Sequence, residues 1–280
     1  MSMGSLCVEE LITRLAVLDE QEQRPSLQAI GLEYFGKGGS EAWRATVQNG
    51  DLYVVKTQNN GQDRNQVRME DEPLKILTTE LICGRLGQLF SPIVCPEVAI
   101  IDIPERLAEN NRFPDGRQVT AGPSFGSFWY SEMYDVKDKG HIDLVPPEQV
   151  ARIIIFQTWL RGSDQAALVS ADGRKALSID HGYYLAGQTQ WNRTELDHPL
   201  PVNLVQLAQY QQRIEFTMFE PMLQELNMLD EMDILKAFAA IPAAWGGTID
   251  FRAKLAHMVL QRRVAVEQVI ATIWKGTPRW

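Results

Sequence analysis

Several things are scarce in this chain, and each scarcity excludes a class of protein. Its 280 residues hold only three cysteines, Cys7, Cys83 and Cys95, widely spaced and outside any CxxC pair. That count gives neither a disulfide framework nor a zinc motif, and it fits a reducing, cytoplasmic setting. Four histidines stand at no metal-type spacing. No run of about 18 apolar residues exists, so no membrane-spanning helix is predicted. Basic residues are outnumbered, 27 against 36 acidic, for a net charge of −9. A general nucleic-acid binder would show the opposite balance, so no direct nucleic-acid partner and no membrane partner are expected. The first 30 residues, with Glu9, Glu10, Asp19, Glu20 and Glu22, are too acidic for a secretory leader. Internal repeats and low-complexity segments are missing as well. What remains has the ordinary balance of a soluble protein, 45% apolar and 22% charged, long enough for two lobes with a sizeable core.

Patterning then divides the chain. Residues 6–18 have apolar positions at helical spacing. Short β-like pieces follow at Leu27–Tyr34, Ala42–Gln48 and Leu52–Thr57, with Asn49-Gly50-Asp51 as a hairpin turn between the last two. After a polar loop, Pro73–Leu89 reads as an amphipathic helix and Val98–Ile103 as a strand. The stretch 104–120 reads as a loop with one helical turn, and Phe125–Tyr134 as partly β. Beyond it helices dominate. Pro146–Arg161 starts on proline and has Gly162 just past its end. Val202–Leu226 is a long helical pattern interrupted near Pro221, and Asp230–Ala240 and Phe251–Trp274 follow, the last with Leu255, Val259, Val266 and Ile270 on one face. Strands first and helices later predict an α+β fold with two lobes. The expected division is an N-terminal helical extension over 1–26, a small sheet-rich lobe over 27–127, and a larger, mainly helical lobe over 128–280.

The chemistry-bearing residues come in a telling order. Phosphoryl transfer from ATP needs a cover for the phosphates, a cation on them, oxygen ligands for magnesium, and a base near the acceptor. Gly38, Gly39 and Ser40 lie between two strand-like pieces, where glycines let backbone N–H groups approach phosphate oxygens. The stretch is not a Walker A loop, because no Gly-Lys-Ser/Thr follows at the required spacing. Lys56 ends an apolar strand just after that turn. Glu80 lies mid-helix, in position to pair with it. Asp164 projects from a turn after a helix, and Asp180 ends a β-like run and is followed by His181-Gly182. Each residue alone has a plainer reading: a hairpin glycine, a solvated lysine, one helix glutamate among many, two turn aspartates.

Together these residues resemble the HipA-like kinases, distant relatives of protein and phosphatidylinositol kinases. The resemblance rests on Gly38-Gly39-Ser40, Tyr53-Val54-Val55-Lys56, Thr79-Glu80-Leu81-Ile82-Cys83, Phe125-Gly126-Ser127, Trp159-Leu160 with Ser163-Asp164, and Ile179-Asp180-His181-Gly182. Ile241-Pro242-Ala243-Ala244-Trp245 and Leu260-Gln261-Arg262-Arg263 add to it. It implies ATP in a cleft between the lobes, with Lys56 on the phosphates, Glu80 paired to Lys56, Asp164 as catalytic base and Asp180 as the Mg2+ ligand. Gly38, Gly39, Ser40, Gln165 and His181 would contact the nucleotide. The acceptor would be a hydroxyl of a protein Ser/Thr or of a small molecule. The sequence names neither that acceptor nor an oligomeric state.

One departure falls on the chemistry. Gly162 stands for the family loop's first asparagine, Gln165 for its arginine, and Ala166 or Ala167 for the asparagine that binds metal. No asparagine lies between Asp164 and Asp180. A second expectation therefore stands beside the first: a pseudokinase that holds nucleotide or a partner protein without phosphoryl transfer.

Overall fold

A computed structural model describes residues 7–22, 26–36, 41–58, 75–135, 145–162, 166–185 and 213–276. Its first element, helix α1 (Val8–Gln21), turns Leu11, Leu15 and Leu18 inward, and the Glu10 carboxylate reaches back to the Cys7 N–H. Strands β1 (Leu27–Tyr34), β2 (Trp43–Val47), β3 (Leu52–Lys56), β4 (Val98–Ile103) and β5 (Gly122–Phe128) close into a barrel in the order β1-β2-β3-β5-β4. All neighbours are antiparallel except β1 and β4. The Asn49-Gly50-Asp51 turn forms as expected: Gly50 has φ 89° and its N–H donates to Val47 O at 2.8 Å.

Alternation sorts the barrel residues by face. Trp43, Ala45, Val47, Tyr53, Val55, Ile101 and Ile103 fill the interior. Gly126 lies among them because a Cβ there would stand 2.4 Å from Ile101 Cγ1. The β4–β5 connection carries helix α3 (Glu105–Asn110) and adds Phe113 and Val119 to the barrel core. The outer face of β4 and β5, with Phe125, Val98 and Ile100, packs on Leu77 and Leu81 of helix α2 (Lys75–Gly87) and on Trp245. α2 is buried almost all round. Gly84 and Gly87 permit its close approach, since a Cβ there would stand 2.4 Å from Val98 Cγ1 and 2.3 Å from Cys95 Sγ.

After β5 the chain leaves the barrel through Trp129–Glu132 and enters a second, antiparallel sheet of β6 (Met133–Asp135), β7 (Ala167–Ser170) and β8 (Ala176–Ser178). The strand-like stretch predicted as Phe125–Tyr134 thus belongs to two sheets, starts earlier at Gly122, and is broken by a turn. Helix α4 (Pro147–Leu160) carries a continuous buried run from Ile153 to Leu160. Its left-handed terminator is Arg161, at φ 56°, rather than Gly162. Gly162 serves close packing instead: a Cβ there would meet Tyr184 Cζ at 2.5 Å.

The remaining described chain is helical. Pro221 lies in the first turn of α5 (Glu220–Met228), so it begins a helix rather than interrupting one, as its fixed φ and missing N–H allow. A single 3₁₀ turn, Phe216–Met218, precedes it, and residues 202–212 of the predicted long helix lie outside the described residues. Helix α6 (Glu231–Ala237) is capped by Asp230, whose carboxylate accepts the Met232 N–H at 2.7 Å. Helix α7 (Ile249–Gly276) places Leu255, Val259, Val266 and Ile270 in one core with α1, α4, α5 and α6. Trp159 is enclosed there and donates Nε1–H to Val259 O at 2.9 Å. Trp245 is enclosed where α2 meets the barrel, with Nε1–H donating to Pro123 O at 2.9 Å. Among the described residues, no helix is long and apolar enough to cross a membrane.

Candidate active site

Three elements distant in sequence converge on one ammonium. Lys56 ends β3, and the alternation that buries Tyr53 and Val55 inside the barrel sends Lys56 to the outer face, toward α2. Its Nζ donates to Glu80 Oε1 from α2 and to Asp180 Oδ1, at 2.5 Å, from the segment after β8. Lys56 and Glu80 are buried, with side chains 9% and 2% exposed, whereas the Asp180 side chain keeps 34% of its surface open. Burial alone would lower the Lys56 ammonium; the two carboxylates outweigh it and hold the group above the ordinary lysine value. Burial pushes the Glu80 carboxyl up against the pull of Lys56. At Asp180 burial also opposes the charge, but there Lys56 prevails and holds the carboxyl below its usual range.

The segment Asp180-His181-Gly182 is shaped for this convergence. Asp180 is left-handed at φ 59°, a conformation that aspartate tolerates better than most residues. The turn brings the His181 N–H to the second oxygen of Glu80 at 2.9 Å, so both Glu80 oxygens are engaged. Gly182 follows where a Cβ would stand 2.7 Å from Ile76 Cγ2 and 3.5 Å from Glu80 Oε1. Glycine is the residue that lets α2 and this segment approach.

His181 was expected at the nucleotide, yet its ring is built into the core. It is 3% exposed, edge-on to Phe156 and Tyr184, with Nε2 at 3.0 Å from Ser178 Oγ and 3.7 Å from Cys95 Sγ. Burial pushes its pKa down to about 3, so the imidazole is neutral at physiological pH. Its backbone, rather than its ring, serves Glu80.

Four of the predicted residues, Lys56, Glu80, Asp180 and His181, are therefore brought together. Gly38, Gly39, Ser40, Asp164 and Gln165 lie outside the described residues. Ala166 and Ala167, where the resemblance would expect an asparagine, are both buried. Ala166 O accepts the Ile179 N–H at 3.0 Å, and Ala167 pairs with Ser178. Their backbones tie the start of β7 to β8 and Ile179, just ahead of Asp180.

Sequence reasoning missed a bracket beside the glycine turn. Phe35 and Gly36 donate to Ala42 O at 3.1 and 3.2 Å, which holds residues 35 and 36 against 42. Next to Ala42, the Glu41 carboxylate accepts from Arg117, which also donates Nε–H to Asp115 at 2.7 Å and lies 4.7 Å over the Phe113 ring. Phe113 contacts Trp43 and Tyr34 edge-on at 5.4 and 6.3 Å. The β4–β5 connection thus fixes Glu41 to the barrel core. An Asp-Gly-Arg turn far along the chain carried no sequence signal for that contact.

A barrel with a helix against it, a lysine clasped between that helix and a later aspartate, and a following helical body define a kinase-like fold. A solved structure of similar architecture is the Helicobacter pylori proinflammatory kinase CtkA, with a TM-score of 0.52 at 12% identity over 91% of this chain and 100% of that one. Two structures of the Golgi casein kinase, the second with Mn/ADP bound, score 0.47 and 0.40 at 9% identity, covering 96% of this chain and 79% and 77% of theirs. Comparison with curated proteins gives no match. The model of the HipA-like kinase family matches residues 32–245, and the chain belongs to that family.

Proposed function

We propose that this protein is an ATP- and magnesium-dependent phosphotransferase of HipA-like type, acting on a hydroxyl of a protein Ser/Thr or of a small molecule. The observation that carries the reading is the Lys56 ammonium held between Glu80 and Asp180. In this reading the barrel is the small lobe, Trp129–Glu132 is the hinge, and α1 belongs with the helical lobe. Bound ATP and magnesium would supply the phosphoryl group and neutralise its charge.

The residues present fit both. Lys56 is a fixed cation for phosphate oxygens, and Asp180 is the most exposed member of the clasp and a hard oxygen donor. Among the described residues no group of three or more acidic, histidine or cysteine side chains is arranged to hold a metal. That suits an ion bound through one or two carboxylates, with substrate phosphates and water completing its shell. Glu80 would orient Lys56, and Gly38, Gly39 and Ser40 would offer backbone N–H groups to the phosphates. Asp164 would accept the acceptor's hydroxyl proton as that oxygen bonds the γ-phosphorus and the bond from that phosphorus to the bridging oxygen breaks, with ADP as the leaving group.

A second reading, a nucleotide-holding pseudokinase, is favoured by the buried Ala166 and Ala167, which would stand where the resemblance expects a metal-binding asparagine. One experiment separates the two. Purified protein is incubated with labelled ATP and magnesium, beside Asp164→Ala and Asp180→Ala. The kinase reading expects phosphate transfer in the wild type and its loss in both variants. ATP bound by the wild type without turnover would sink that reading in favour of the second.

A further inference from the structure

The turn Ala237–Ala240 at the end of α6 gathers three side chains from three other elements. From α2, Arg85 donates Nη1–H to Ala239 O at 2.6 Å and to Ala237 O at 3.3 Å. From α7, Arg252 donates Nη1–H to Phe238 O at 2.8 Å. From α1, Asp19 Oδ1 accepts the Ala240 N–H at 2.8 Å, with Ala240 left-handed at φ 49°. Asp19 also grips Arg252 with both oxygens, at 2.8 and 2.6 Å, and the Arg252 side chain is only 7% exposed.

Each bond has a reason. The last carbonyls of a helix lack intrahelical partners, and a guanidinium suits them in both hydrogen bonding and charge. The buried Arg252 guanidinium needs an anion, and α1 delivers one in Asp19. Arg85 lies on the same helix as Glu80, so whatever holds the turn also holds the helix that presents Glu80 to Lys56. Both anchoring helices, α1 and α7, fall outside the residues 32–245 that match the family model.

We propose that Asp19 and Arg252 are positioning residues for the Lys56–Glu80 pair: they lock the 237–240 turn, and through Arg85 the turn sets α2 in register with β3. Only the expected effect on turnover rests on the kinase reading; the positioning of α2 stands apart from it. The path is short and continuous, a carboxylate, a turn, a guanidinium and one helix. Coupling through such a network changes a distant equilibrium by about 2- to 30-fold.

The test is Asp19→Asn in the full chain. Asparagine keeps an acceptor for the Ala240 N–H but turns an N–H against one arm of Arg252. Hydrogen exchange is followed by mass spectrometry over residues 75–87, and ATP turnover is measured in parallel. The proposal expects faster exchange along α2, by about 2- to 30-fold, and a higher KM for ATP. A purely structural role would lower the folded fraction, and with it the apparent kcat, and leave KM unchanged. Faster exchange confined to the turn and to α1 and α7, with α2 unchanged, would overturn the proposal whatever the activity does. If the wild type shows no turnover, the kinase reading fails, and exchange along α2 still decides the positioning. Should Asp19→Asn not fold, Arg85→Lys loosens the other side of the same turn and is read by the same two measurements.

Discussion

Replacing Lys56 with methionine tests the clasp at its centre. Methionine fills much of the same volume, so little cavity is created. What the variant loses is the ammonium between Glu80, 2% exposed, and Asp180, 34% exposed. Breaking a buried pair by removing one partner costs about 3–5 kcal/mol, because the other charge is left uncompensated. Glu80 carries most of that cost, since solvent already screens part of Asp180. Its remaining bond, from the neutral His181 through the backbone N–H, brings no net charge.

Glu80 can escape the penalty by taking a proton, and this gives the cost a pH dependence of definite sign. In the wild type the depressed Asp180 carboxyl contributes stability above the usual carboxylate range and loses it as pH falls through its folded value, while the raised Glu80 carboxyl works the other way, less strongly than it would without Lys56. In Lys56→Met both carboxyls rise, so the folded variant binds protons more readily than its unfolded chain and gains stability on acidification. One proton is worth about 1.4 kcal/mol per pH unit. The penalty measured at pH 7 should therefore shrink by about 1–2.5 kcal/mol at pH 5. Urea unfolding of both proteins at the two pH values measures it. A penalty that is equal at the two pH values, or larger at pH 5, would refute the argument that Lys56 is the compensating charge for Glu80. Adding Glu80→Gln to Lys56→Met should recover part of the loss at pH 7 and abolish most of its pH dependence.

Two further outcomes follow from close contacts near the clasp. Gly182→Ala drives a methyl to 2.7 Å from Ile76 Cγ2, which should cost about 1–3 kcal/mol in thermal unfolding; Ile76→Ala in the same chain should return part of it. Beside Glu41, Arg117→Met should cost no more than about 1 kcal/mol, because its side chain is one-quarter exposed. Phe113→Ala, only 2% exposed beneath the same guanidinium, should cost about 3–5 kcal/mol in urea unfolding.

Periodicity placed β1 and β4 at the ends observed, because a barrel strand alternates apolar and polar residues and turn residues punctuate it. It placed the inward face of α7 for the same kind of reason, at the helical period. It missed the break between β5 and β6, because Phe128, Trp129 and Tyr130 are aromatic whether they lie in a strand or in a connection. Gly162 misled by its type: glycine signals both a helix terminator and a close approach, and here Tyr184 demands the second. At the site, Lys56, Glu80 and Asp180 were legible because each ends or interrupts an apolar run, where a charge needs a partner. Arg85, Arg117, Asp19 and Arg252 were not. Their partners are mostly backbone carbonyls or acids on other elements, and neither leaves a mark at a fixed spacing.

The clasp also bears on the proposed kinase reading. Burying a lysine with two carboxylates is an expensive way to hold a barrel to a helix. Well-packed apolar residues of similar volume would do it at equal or greater stability. The surroundings already supply such packing, with Leu77, Leu81, Phe125 and Trp245 forming an apolar cluster between the barrel and α2. A chain needed only as a scaffold gains nothing from the charges. A cleft that must receive phosphates gains a preorganised cation, and the open third of Asp180 is where an incoming metal could meet the clasp. The buried alanines do not reverse this, because magnesium commonly takes few protein ligands and completes its shell with phosphate and water. On the proposed kinase reading, the metal would be held mainly by Asp180 and the nucleotide. On that argument Asp180→Asn should weaken metal-dependent nucleotide binding far more than binding of the metal-free nucleotide. Equal losses in the two titrations would mean that Asp180 serves only to hold Lys56.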